Sequence, residues 1–176
     1  MYRDRSLIPA EAIRLAALGV LAGGPRPYRD VANEVRGFAT RVAGPSLDVL
    51  GSNLELLRHE GLVRAVSGEG EAALLEVTPA GRAALDELLR ANVRLPLDGV
   101  SRLVLALKLR FLPLLPADEA RDQVDRLIAA GESEAARLDE LARDYAADGA
   151  LASWLGTEVA QVRARVAWLE DLLGRL

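Results

Sequence analysis

The segment from Leu54 to Arg82 constrains the fold more than any other part of the chain. Leu47, Leu50, Leu54 and Leu57 recur at helical spacing, so they share one face of a helix. Gly61 stops that helix. Leu62-Val63-Arg64-Ala65-Val66 follows as a short apolar strand, Ser67-Gly68-Glu69-Gly70-Glu71 as a hairpin tip and Leu74-Leu75-Glu76-Val77 as the returning strand. Thr78-Pro79 then opens another helix. The threonine hydroxyl can satisfy a free backbone N–H, and proline at the first helical position loses no hydrogen bond. A lone two-stranded ribbon is marginal in water, so this one must lie against the helices on either side.

The rest of the chain reads as helices. Glu11 to Leu21 is the first, with Ile13, Leu15, Ala16, Leu18 and Leu21 inward, and Gly23-Gly24-Pro25 ends it. Arg26 to Arg36 is a second, short helix with Val31 and Val35 toward the core. Gly37 to Pro45 is expected to be a loop carrying Arg41, and Ser46 to cap the third helix. Leu95-Pro96-Leu97-Asp98-Gly99 marks a boundary. Beyond it, Val100 to Leu112 is apolar on most sides, so burial on most sides is expected. After Pro113 and Pro116, Asp118 and Glu119 fall in the first turn of a helix that repeats apolar residues from Val124 to Tyr145. In the last helix Val159, Val162, Val166, Leu169, Leu173 and Leu176 follow a 3-4-3-4-3 spacing. That seam is either an intrachain packing face or a subunit contact. Trp168 beside it and Trp154 before it read as packing residues.

Composition closes off several classes. There is no cysteine, which removes disulfides, thiolate metal sites and cysteine nucleophiles and suits a cytoplasmic setting. The longest apolar run, 103–115, is interrupted by Lys108, Arg110 and Pro113, too short and too charged to span a bilayer. Lys108 is the single lysine among 22 basic residues, a bias that reads as codon usage. Enzymatic chemistry has little to stand on. His59 is the only histidine, at a helix end where it suits the dipole, and a histidine metal site lacks partners. Adjacent carboxylates such as Asp118/Glu119 point apart on a helix, and no glycine-rich loop is followed by a phosphate-binding lysine. Neither a catalytic site, a metal nor a cofactor is expected.

Charge is unevenly spread. The net charge is −4, with seven Arg against four acids in residues 1–47 but two Arg against six acids in residues 46–79. The ribbon and the helix before it are thus acidic, and residues 98–176 are acidic too, with ten basic groups against fourteen.

The expected fold class is mainly α: an N-terminal winged helix-turn-helix with a two-stranded β-wing, followed by an all-α domain. The chain resembles the PadR family of bacterial transcriptional regulators. The residues that carry the resemblance are Leu15 to Pro25, Tyr28, Glu60-Gly61-Leu62-Val63, Thr78-Pro79-Ala80-Gly81-Arg82, Leu105 to Leu112, Pro116 to Ala120 and Ala167-Trp168-Leu169-Glu170. The resemblance implies a winged-helix DNA-binding domain over 1–97 and a helical dimerisation domain over 98–176. It further implies a homodimeric, cytoplasmic repressor on double-stranded DNA, released by a small-molecule effector or stress signal. The third helix of each subunit would enter one of two successive major grooves.

On that footing Arg26, Tyr28, Arg29, Arg36 and Arg41 are expected at the phosphates. Ser52 and Asn53 fall on the outward side of the third helix, with Ser46 at its start. If the seam is the subunit contact, the dimer residues are Val159, Val162, Val166, Leu169 and Leu173. The sequence also departs from the family. Gly51-Ser52 stands where Tyr-Pro is usual, Pro27-Tyr28-Arg29 where Gly-Tyr-Glu is usual, and the wing carries Ala72 and Leu75 in place of Arg and Tyr, flanked by Glu69, Glu71 and Glu76. Acids beside phosphates repel them, so this wing is not expected to grip DNA. The alternative is a winged-helix dimer that has lost DNA binding and serves protein interaction or ligand sensing.

Overall fold

In the computed structural model residues 6–44 and 50–176 are described, with the backbone alone for 50–53. Their elements are α1 (Pro9–Ala22), β1 (Arg26–Pro27), α2 (Tyr28–Ala43), α3 (Leu50–His59), β2 (Val63–Ser67), β3 (Leu74–Val77), α4 (Pro79–Leu89), α5 (Gly99–Phe111), α6 (Ala117–Asp144) and α7 (Gly149–Leu173). The chain divides into two compact units, residues 1–112 and 113–176. No helix among the described residues is long and apolar enough to cross a membrane.

In the first unit α1 is buried on every side. Residues 12 and 13 and the whole run 15–21 are buried, because α2, α3, α4, α5 and β3 all pack on it. Gly19 admits the ring of Phe111, which a Cβ at that position would strike. Around α1 lie Val31 and Val35 of α2, Leu54 and Leu57 of α3, Leu75 of β3, Leu85 and Leu89 of α4, and Leu103 and Leu107 of α5. α5 thus belongs with the winged helix. The compact units part at Leu112/Pro113 instead of the expected 97/98, since Leu103, Leu107 and Phe111 are spent on α1 and α2.

The two-stranded wing, β2 and β3, is joined by β1 into a three-stranded sheet of order β1-β3-β2, antiparallel throughout. β1 pairs Arg26 with Leu75 and Pro27 with Leu74. It is two residues long, below the length at which alternation shows in a sequence. β2 bulges between Ala65 and Ser67, and Gly70–Ala72 forms a 3-10 turn before β3. The base of the wing is closed by Thr78. Its hydroxyl accepts from Gly81 N at 3.1 Å, capping α4, and donates to Gly61 O at 2.7 Å. Its backbone N–H donates to Leu62 O at 3.0 Å. Gly81 lies so close to the Leu62 carbonyl that a Cβ would not fit. The Thr-Pro-Ala-Gly-Arg string is therefore a joint between wing and helix.

Two expectations for α2 are corrected. It starts at Tyr28 and continues to Ala43, so Gly37 to Ala43 is helix and not loop. Ala39 and Val42 carry on the apolar face begun by Val31 and Val35, and this outweighs the roughly 1 kcal/mol that Gly37 costs. Gly44, with φ +88°, ends the helix. Pro45 and Ser46 lie outside the described residues.

Lys108 corrects a third expectation. It is buried, and its ammonium donates to the carbonyls of Leu89 and Ala91, the latter at 2.7 Å. The cation thus sits at the C-terminal end of α4, on the carbonyl of its last residue and on one just past its C-cap, where the helix dipole favours positive charge. The single lysine has a structural task that a bulkier, forked guanidinium would not fit in the same way.

The second unit is an antiparallel pair. Arg163 with Asp139, Arg165 with Glu134 and Val166 with Gly131 show α7 descending as α6 rises. Val159, Val162, Val166 and Leu169 are buried, Val159 and Val162 in a cluster with Ala135 and Leu138 of α6, and Leu173 is half-buried. The 3-4 seam therefore closes within the chain and leaves no free apolar stripe at those positions. Trp154 and Trp168 are not packed between helices: they are 55% and 46% exposed.

Lys108→Met should lower the unfolding free energy by about 2–3 kcal/mol, because two carbonyls lose their buried donor. Urea denaturation followed by circular dichroism measures it; an unchanged midpoint would contradict this role.

Candidate nucleic-acid interface

The expected contact residues fall into three groups. Arg29 and Arg36 are exposed on α2 seven residues apart, so they share a face. Asn33 and Thr40, also exposed, fall on the same stripe at helical spacing. Sequence reasoning passed over Thr40, because the helix was ended at Arg36, and over Asn33, whose polarity carries no periodic signal. Arg41 is exposed in the last turn of α2, five residues from Arg36 and so about 140° around the helix. Among the described residues neither Arg36 nor Arg41 has an ion-pair partner. Arg29 has only Asp30 at 4.0 Å, an exposed pair of little consequence.

Arg26 belongs to the second group, the arginines already engaged within the chain. It pairs with Glu34, which also takes Arg110. The Arg110 guanidinium in turn lies over the rings of Phe38 and Phe111, at 5.2 and 5.1 Å from their centroids. Burial pushes the Glu34 carboxyl up, but hydrogen bonds from Arg110 and Arg26 outweigh it and the group ends below its ordinary value. Arg58 pairs with Glu55 of α3 at 3.2 Å, and Arg64 of the wing donates to Glu76 across the β2–β3 ladder at 2.6 Å. Both basic residues of the 46–79 segment are thus matched by neighbouring acids. Glu69 and Glu71 remain exposed at the tip.

Tyr28 stands where these parts meet. Its N–H donates to Ala73 O at 2.9 Å, tying the start of α2 to the hairpin. Its phenol is raised above its ordinary pKa by burial first, then by the carboxylates of Glu55 on α3 and Glu71 on the wing, against Arg58 and Arg36. It therefore stays neutral through physiological pH, a half-buried group beside acids. Ser52 and Asn53 lie on α3, with their side chains outside the described residues, as is Ser46 altogether. Glu55 and Leu56 are exposed on α3.

The first unit is a winged helix, and it presents one basic face, on α2, beside an acidic wing. A family model for putative AphA-like transcriptional regulators matches residues 2–173. The chain belongs to that family, the PadR-like group that its motifs resemble, which is one of transcriptional regulators and not of enzymes. Among solved structures, PadR of Bacillus subtilis is similar at 18% identity over 97% of each chain, with a TM-score of 0.42. PadR of Bacillus subtilis in complex with operator DNA is 19% identical over 92% of this chain and 96% of that one, with a TM-score of 0.39. The Vibrio cholerae virulence activator AphA is 20% identical over 93% and 96%, with a TM-score of 0.40. No curated protein matches.

Glu34→Gln should cost roughly 1 kcal/mol of stability at pH 7. A lowered carboxyl pKa contributes stability that is present above its unfolded value and lost as pH falls through the folded one. The gap between variant and wild type should therefore close on acidification below the ordinary glutamate range. Thermal unfolding across pH 3–7 reads this, and a constant gap would contradict the ionic role.

Proposed function

We propose that this protein is a homodimeric DNA-binding transcriptional repressor that grips DNA through α2 and α3 and not through its wing. The observation that carries the reading is the basic face of α2, where Arg29 and Arg36 are aligned, with Arg41 about 140° further around in the last turn, beside a wing whose one arginine is spent on Glu76. Phosphates would meet Arg29, Arg36 and Arg41, while Ser46, Ser52 and Asn53 would face base edges and backbone from α3. Tyr28 would hold α2, α3 and the wing in register. Dimerisation through the second unit would set two such faces one helical turn of DNA apart, and a small-molecule effector would release them. Family membership supports regulation as the role.

A second reading has its own support. Both arginines of the 46–79 segment are neutralised, and Glu69 and Glu71 project from the wing. Such a surface suits a partner protein or no nucleic acid at all.

Fluorescence anisotropy on DNA from upstream of the protein's own gene separates the two. The double variant Arg29→Glu/Arg36→Glu should weaken binding at least a hundredfold, and Glu69→Arg/Glu71→Arg should strengthen it about tenfold by turning a repelling tip into an attracting one. No binding by the wild type at low salt would favour the second reading.

A further inference from the structure

α3 buries one face and leaves a leucine standing on another. Leu54 and Leu57, 2% and 0% exposed, turn toward the core that α1 and α2 share with this helix. Leu56 stands about 200° around the helix from the first and 100° from the second, and it is 43% exposed. Among the described residues of the first unit, the other large apolar side chains open to this degree are Ile8 at the start of α1 and Val66 on the wing. Of the three, Leu56 alone lies on the helix that would enter a major groove, three and four positions beyond Asn53 and Ser52.

The groups around Leu56 decide what it can read. Arg58 is the one arginine of α3. It lies two positions on, about 200° around the helix, and its guanidinium reaches both carboxylate oxygens of Glu55 at 3.2 Å. These two charges answer each other on the side of the helix that Tyr28 faces. The commonest specific base contact is an arginine or lysine on the O6 and N7 of guanine, and the Leu56 side of α3 carries neither. The exposed His59 shares that side, but it is the last residue of the helix.

The major groove is lined by donors and acceptors with one apolar exception, the C5 methyl group of thymine. A leucine laid on the N4 of cytosine or the O6 of guanine strips water from a polar group and returns no hydrogen bond. On thymine both partners remove apolar surface from water. One side chain thus attracts one base and penalises the others, which are the two halves of specificity. The fold itself makes little use of Leu56, since nearly half of it is open to solvent.

We propose that Leu56 selects thymine: its side chain packs on the C5 methyl group of one thymine in each half-site. This rests on the DNA-binding reading above and assigns it a base.

The test compares one sequence in two chemistries. DNA from upstream of the protein's own gene is amplified once with thymidine triphosphate and once with deoxyuridine triphosphate, whose base pairs in the same way and lacks only that methyl group. At fixed salt, wild-type affinity in fluorescence anisotropy should fall on the uracil DNA by about fourfold per subunit, roughly fifteenfold for a dimer. Leu56→Ala, with its helical circular dichroism intact, should lose most of this difference and bind thymine DNA about as the wild type binds uracil DNA. Uracil at positions that Leu56 does not touch affects both proteins equally, so the ratio of the two ratios isolates the contact. Equal wild-type binding to the two DNAs, or an undiminished thymine preference in Leu56→Ala, would overturn the role of Leu56 and leave the DNA-binding regulator standing. No wild-type binding to thymine DNA at low salt would overturn both.

Discussion

The first unit depends on a helix with no side left for solvent. α1 supplies small and aliphatic residues over nearly its whole circumference, and five elements use it as their common floor. Close approach is what allows this, as where Phe111 of α5 lies on Gly19. The angles of α2 and α3 are set by that floor, and with them the position of any surface that meets DNA. The wing is fixed separately, by Thr78 bridging Gly61, Leu62 and Gly81 at its base. The same wing is tied to the start of α2, where Tyr28 N–H donates to Ala73 O and β1 pairs with β3.

Charge then sorts the surface. Acids lie beside most arginines of the first unit that could reach them: Glu34 between Arg26 and Arg110, Glu55 beside Arg58, Glu76 beside Arg64 and Glu60 beside Arg14. Exposed pairs of this kind add little stability, but they cancel the long-range pull on phosphate. Among the described residues Arg36 and Arg41 of α2 keep no ion pair, and neither do Arg82 and Arg102 elsewhere in the unit. A near-neutral N-terminal unit can thus still present a compact cationic patch, and the net charge of the molecule says nothing about it.

Much of this was legible in the sequence. The helix stop at Gly61, the hairpin, the Thr78 cap and the helices behind them follow from local rules that need only a few neighbouring residues. The failures came where a tertiary contact decided the outcome. β1 exists because β3 offers it an edge, and nothing in Arg26-Pro27 announces a strand. Gly37 argued for a loop, yet the apolar residues after it have a core to enter. Lys108 reads only as codon usage, and its task emerges once its ammonium is placed against the carbonyls of Leu89 and Ala91. Val159, Val162, Val166 and Leu169 had the spacing of a subunit seam, but spacing does not say whose helix fills it; α6 does. The candidate site was legible as a set of arginines and not as a face, because Arg64 meets Glu76 only across the hairpin and Glu34 is shared by Arg26 and the sequence-distant Arg110; the Arg58–Glu55 pair, three residues apart, is local.

The central claim is that phosphate contact comes from three arginines of α2 in each of two subunits, with none from the wing. The salt dependence of wild-type DNA affinity counts those contacts directly. Six contacts per dimer give a slope of log K against log salt of roughly −5. A slope near −9 would require about ten contacts and bring the wing into play, and the account would then be wrong.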